Sequence, residues 1–208
     1  MKRIILLLLL LSLAVGGYFY YRSLSAGPTY SLMQAAKATQ THSMTEFERY
    51  VDIKSVVGNL IDQVADQSET LDNVIPRGFA FKQTLPLLKP QLTQAVRKEI
   101  QRYIETGSIE TPLNAQSMGS LNLSVLGGMV GTVAGPGSQF KGIKYTREEG
   151  EQASIGLEIS QPRYDTTLVV EVKMRKRGDH WQATEIANAG ALIKNVARLE
   201  KQRLVGSK

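Results

Sequence analysis

The chain has 208 residues, a formal net charge of +6, two histidines and no cysteine. The lack of cysteine excludes disulfides, a thiolate nucleophile and a thiolate metal site, so stability has to come from packing. His42 and His180 stand far apart and in neither a His-x-x-x-His nor a His-Glu-x-x-His spacing, which rules out a histidine-rich metal centre.

Residues 1–24 set the location of the rest. Residues 4–21 carry no charge and as a helix reach roughly 27 Å, close to the hydrocarbon thickness of a bilayer. Lys2 and Arg3 precede the run, an arrangement that keeps the amino terminus in the cytoplasm and sends residues after Arg22 across. Tyr18, Phe19, Tyr20 and Tyr21 form an aromatic belt at the far interface. The segment reads as an uncleaved, single-pass anchor in the inner (cytoplasmic) membrane. A cleaved secretory signal is the competing reading, because Ser12-Leu13-Ala14 has the small residues a signal peptidase prefers. Under either reading residues 25–208 are exported to the periplasm, and at about 180 residues they suit one domain. Without Lys2 and Arg3, 23 basic residues face 19 acidic ones, a surplus of +4. That surplus suits an anionic membrane or cell-wall surface, and no nucleic acid partner is expected of an exported domain.

Residues 22–27 (RSLSAG) form a tether too short to let the domain roam. Pro28 suits the first position of a helix, with Tyr30, Leu32, Met33 and Ala36 as its apolar stripe up to about Gln40. Ser43-Met44-Thr45-Glu46 has the capping-box form and opens a short helix with Met44, Phe47, Tyr50 and Val51 on one side. Asp52 is placed to cap the next helix, whose Ile53, Val56, Val57, Leu60, Ile61 and Val64 recur at spacings of three and four, the pattern of a buried face.

Residues 28–38 (PTYSLMQAAKA), with His42, Phe47 and residues 50–56 (YVDIKSV), resemble the start of a bacterial family known as domain of unknown function 2939. Members of that family place a Pro-x-Tyr helix just after an amino-terminal hydrophobic segment. A Tyr/Leu-Val-Asp stretch follows, and near the end a Trp within a strand, similar to residues 180–186 (HWQATEI) here. The resemblance implies a membrane-associated bacterial protein. It supplies no catalytic residues.

Periodicity fades over residues 67–85, where Asp72-Asn73, Pro76 and Gly78 mark turns and Phe79 and Phe81 are expected to dock a loop on the core. Pro90 is expected to start the next helix, lined by Leu92, Val96, Ile100, Tyr103 and Ile104 as far as Gly107. Residues 113–137 intersperse six glycines among Leu, Val and Met. The apolar part is too short to cross a bilayer and lacks a phosphate-loop spacing, so a mobile apolar loop that covers a pocket or leans on the membrane and a buried connector remain the alternatives.

After residue 140 the period changes to two. Leu168, Val170, Val172 and Met174 alternate with mostly polar residues, Val169 being the exception, as a half-exposed antiparallel strand requires. Ile155, Leu157 and Ile159 mark a second strand, Ile143 and Tyr145 a third, and Trp181 with Ala183 a fourth; turn residues at 148–150, 161–162 and 177–179 separate them. A last helix is expected over 189–204, packing with Leu192, Ile193, Val196 and Leu199. The fold class is therefore α+β: an anchor helix, several helices packed on a curled four-stranded antiparallel sheet, and a carboxy-terminal helix. The layout is similar to nuclear transport factor 2-like folds, which often enclose a pocket.

Two candidate surfaces emerge, and no enzyme, cofactor or metal site. Lys173, Arg175, Lys176 and Arg177, with Lys194, Arg198, Lys201 and Arg203 on the final helix, offer a basic contact surface. Tyr145, Leu157, Leu168, Val170 and Trp181 could line a cavity between sheet and helices. The first suits a non-enzymatic module that binds an envelope protein or component; the second suits a carrier of a small apolar ligand or lipid. The anchor reading has a direct test: the full-length chain is expected in the membrane fraction, and loss of about 14 residues from the mature protein would refute it.

Overall fold

The computed structural model describes residues 27–66, 81–107 and 138–206. The expected anchor, Phe79, and the glycine-rich segment 113–137 lie outside the described residues. Among the described residues no helix is long and apolar enough to cross a membrane.

The chain is α+β. Among the described residues helices α1 (Pro28–Gln40), α2 (Met44–Tyr50), α3 (Ile53–Asp66) and α4 (Phe81–Thr106) precede strands β1 (Gln139–Glu149), β2 (Gln152–Gln161), β3 (Thr166–Arg177) and β4 (His180–Ile186), and helix α5 (Ala189–Gly206) follows them. The strands form one open antiparallel sheet in the order β1-β2-β3-β4. A 3-10 turn (Pro162–Tyr164) joins β2 to β3 and closes on Asp165 at φ 48°, while Gly150 and Gly178 supply the left-handed positions of the two tight hairpins.

Helix starts follow local chemistry. Pro28 opens α1 without sacrificing a hydrogen bond, since a first-turn N–H has no intrahelical partner. Ser43 accepts from the Glu46 N–H, as the capping-box spacing predicts. Asp52 caps α3 twice, accepting from both the N–H and the hydroxyl of Ser55 at 3.0 and 2.7 Å.

Two expectations need correction. The buried side of α1 is Pro28, Ser31, Ala35 and Ala38, whereas Met33 is 63 % exposed and Ala36 faces solvent. Small side chains bring this helix close enough to β4 for the Ser31 hydroxyl to accept the Trp181 N–H at 2.9 Å. Helix α4 begins at Phe81, not at Pro90, and passes through both Pro86 and Pro90. Leu88 packs on the same cluster as Leu92, Val96 and Ile100, so the apolar stripe continues a turn before Pro90, and packing outweighs the lost backbone bond.

The core has two parts. Ile53, Val57, Ile61, Val64, Ala65 and Leu92 join α3 to α4, while Ala153, Ile155, Leu168, Val170, Val172, Met174, Trp181 and Ala183 form the inner face of the sheet. Successive residues of α5 bridge them: Ile193 belongs to the first cluster and Leu192 to the second.

The β4 edge is closed by helical groups. Asp52 N–H donates to Ala183 O, Asn59 Nδ2 to Thr184 O, Gln63 Nε2 to Ile186 O, and Gln182 Nε2 reaches Glu48 O. Asn59 and Gln63 lie one helical turn apart, so α3 lays two amides along the strand. Replacing Ser31 by alanine would leave the Trp181 N–H buried without an acceptor, at a cost of about 1–3 kcal/mol. Urea unfolding followed by Trp181, the chain's single tryptophan, should show the lower midpoint.

Candidate functional site

Among the described residues helices cover one face of the sheet and none covers the other, and strand register decides which side chains that open face carries. Arg147 pairs with Ser154, Ser154 with Lys173, and Lys173 with Glu185, one row across all four strands. Glu149, Gln152, Arg175 and Gln182 make the adjacent row. With neighbouring strands about 4.8 Å apart, the cations of these rows ring Ser154 and Gln152. They border a polar cleft of 350 Å³ lined by Arg147, Glu149, Gln152, Ser154, Lys173, Arg175, Thr184 and Glu185, with Ala153 and Met174 at its floor.

The charges are unequally neutralised. Lys173 Nζ lies 3.3 Å from Glu185 Oε2 and is held in place by it. The Arg147 guanidinium sits over the Tyr145 ring, 4.6 Å from the centroid. Among the described residues neither Arg147 nor Arg175 makes an ion pair. Two guanidinium groups, an ammonium, a hydroxyl and a carboxamide thus line one space together with the Glu149 and Glu185 carboxylates, and of these the guanidinium groups have the fork geometry that matches an oxyanion.

Tyr145 lies beside this site on the same face, under the Arg147 guanidinium. Its ring lies flat over Gly156, where an added Cβ would collide with it, and its hydroxyl donates to Glu171 Oε2 at 2.9 Å. Partial burial, followed by the Glu171 hydrogen bond and charge, raises the phenol above the ordinary tyrosine pKa.

The structure divides both sequence-predicted sets. Leu168, Val170 and Trp181 are buried in the inner-face cluster with Leu157 packed against them, but Tyr145 lies on the opposite, open face. A register shift between Ile143 and Tyr145 is the reason: Ile143 opposes inner-facing Leu157, while Tyr145 opposes outer-facing Gly156. Of the basic set, Lys173, Arg175 and Arg177 point to the open face. Lys176 faces inward at the rim, its ammonium 6.0 Å from the Trp181 ring centroid. Lys194, Arg198, Lys201 and Arg203 ride on α5, which packs against the inner face, so the sheet separates them from the strand cations. Arg147, Gln152, Ser154 and Glu185 had no motif to mark them. Their signal is register: once Ser154 is set opposite Lys173, the row follows.

The histidines are structural. Pointing from a left-handed residue at the end of α1, the His42 Nδ1–H donates to Ile104 O at 2.5 Å. His180 bonds Asp179 at 2.9 Å and meets the Tyr50 ring edge-on; Asp179 also pairs with Arg49 at 3.2 Å, clasping the 177–179 turn to α2. The His180 hydrogen bond first, with help from the Arg49 charge, holds the Asp179 carboxyl below its ordinary pKa. On the opposite side Arg97 bonds Glu48 at 2.7 Å and Arg102 pairs with Glu99 at 3.4 Å, in exposed positions.

Comparison of the chain with protein-family models, with curated proteins and with solved structures returns no match.

Because the folded-state pKa of Tyr145 is raised, its contribution to stability is complete below the ordinary tyrosine pKa and is lost as pH climbs through the raised value. Difference absorbance titration of the chain against its Tyr145→Phe variant should place this phenol above an ordinary tyrosine, and Glu171→Gln should bring it down.

Proposed function

We propose that this chain is a membrane-tethered, extracytoplasmic binding module that turns over no substrate and holds an acidic segment of an envelope protein or component. The observation that carries the reading is the polar cleft on the uncovered sheet face, where Arg147 and Arg175 have no ion-pair partner among the described residues. Buried or shielded carboxylates gain most from such groups, because a guanidinium can meet both oxygens at once. Mixed charge around the cleft, with Glu149 and Glu185 at its margin, favours a partner of patterned charge over a uniformly anionic one.

The apolar and basic features at residues 2–24 support the tether, and the resemblance of residues 28–56 to the domain of unknown function 2939 family supports a bacterial envelope setting. An open sheet flanked on one side by helices is compatible with the nuclear transport factor 2-like layout as a fold analogy, which licenses no activity. The carrier reading loses ground to the binding module because its proposed cavity residues pack into the inner-face cluster, Tyr145 excepted.

A photo-crosslinking amino acid at Gln152 in the full chain, activated in native membranes, is expected to give a discrete adduct. Reversing Arg147 and Arg175 to glutamate should lower its yield by about tenfold or more, the effect of roughly 1.4 kcal/mol. An undiminished adduct in the reversed variant would remove the cleft from the function.

A further inference from the structure

Strand β1 is the edge of the sheet that no helix closes among the described residues, and it is built unlike the rest of the surface they present. Phe140 is 65 % exposed and Ile143 39 % exposed, both on the inward side of the strand where the helical layer does not reach them. Lys141, Lys144 and Arg147 stand among them, exposed, and residues 139–147 include no carboxylate. The Lys144–Glu158 contact of 3.3 Å is exposed and neutralises little. Acidic residues begin only at Glu148, Glu149 and Glu151, around the hairpin at the far end. Aromatic and aliphatic side chains set among lysines are the composition of a surface that settles into lipid headgroups.

The start of α1 reaches β1 between that patch and the acidic hairpin, at Thr146, three residues or about 10 Å along the strand from Ile143 and two residues before Glu148. The Thr29 hydroxyl in the first turn of α1 meets the Thr146 hydroxyl of β1 at 3.2 Å. Residues 22–27 span at most about 20 Å when extended. A bilayer holding residues 4–21 therefore lies within that reach of β1.

We infer that the β1 edge rests on the anionic surface of the bilayer in which the chain is anchored, with Phe140 and Ile143 entering the interface and Lys141 and Lys144 meeting lipid phosphates. The inference depends on the tether proposed above. It places the sheet upright on the membrane, so that the open-face cleft looks sideways, accessible to a partner. The opposite end of α1, where His42 meets α4, is turned away from the lipid, since a 13-residue helix puts about 20 Å between its ends.

The chain's lack of cysteine allows a single label. Ile143→Cys in the full chain, carrying an environment-sensitive fluorophore, is reconstituted into vesicles of phosphatidylglycerol in phosphatidylcholine that contain a bromine-quenched acyl chain. A probe at Glu105→Cys on α4 serves as the remote control. Quenching is expected at 143 and not at 105, weak in phosphatidylcholine alone, and reduced by about fivefold per reversed charge in Lys141→Glu/Lys144→Glu, a pair outside the cleft. A vesicle-bound chain whose 143 probe stays in water, or whose quenching ignores the two reversals, overturns the docking and leaves the tether standing. A full chain that does not float with vesicles defeats the tether and the docking together.

Discussion

The closing of the β4 edge is the constraint on which the remaining architecture depends. A strand at a sheet margin exposes a row of N–H and C=O groups that must find partners if they are to be buried. Here the partners are helical: Ser31 takes the Trp181 N–H, the Asp52 N–H serves Ala183 O, and Asn59 and Gln63 serve the carbonyls of Thr184 and Ile186. These contacts fix how α1 and α3 lie against the sheet. Gln63 also accepts from the Gly190 N–H at 3.2 Å, which ties the start of α5 to the same seam. Once that seam is made, the inner face has one way to be covered, and Leu192 and Ile193 can point into two clusters from neighbouring positions.

The sheet's asymmetry follows from this closure. One face and one edge are spent on the core, leaving the outer face and β1 to meet whatever lies outside. The outer face carries paired and unpaired charge in rows set by register, and β1 carries apolar groups among lysines. Register shifts between Phe140 and Gly142 and between Ile143 and Tyr145 bend β1 and interrupt its outward hydrogen-bonding row. Bulges and lysines of this kind discourage strand-to-strand pairing between copies, so an accessible edge need not be a sticky one.

Much of this was legible in the residue pattern. Capping chemistry at Ser43 and Asp52 located α2 and α3, and alternation from Leu168 to Met174, broken only at Val169, identified β3 and its buried side. The α1 contact face was not legible, because Ser31, Ala35 and Ala38 are chosen for closeness rather than hydrophobicity. Pro90 was a misleading start signal, since the helix already runs from Phe81 and Leu88 and Leu92 pack on either side of it. Tyr145 was assigned to the wrong face because a bulge at Lys144 breaks the two-residue period; the glycine at 156, which gives its ring room, was the available hint. For the cleft, Lys173 and Arg175 could be singled out as basic, but their grouping with Arg147 and Ser154 depends on the exact register of consecutive strands, which a bulge in β1 shifts.

The seam along β4 also dictates when folding can finish. Ser31 is 150 positions from Trp181, and Asn59 is 125 from Thr184. Contacts of such separation form late, because the loop between them must be closed before any is rewarded. During synthesis the early helices emerge with amide and hydroxyl groups waiting for a strand that the ribosome has yet to make. The seam therefore cannot close until β4 has been made, and the helices that carry its partners wait for it.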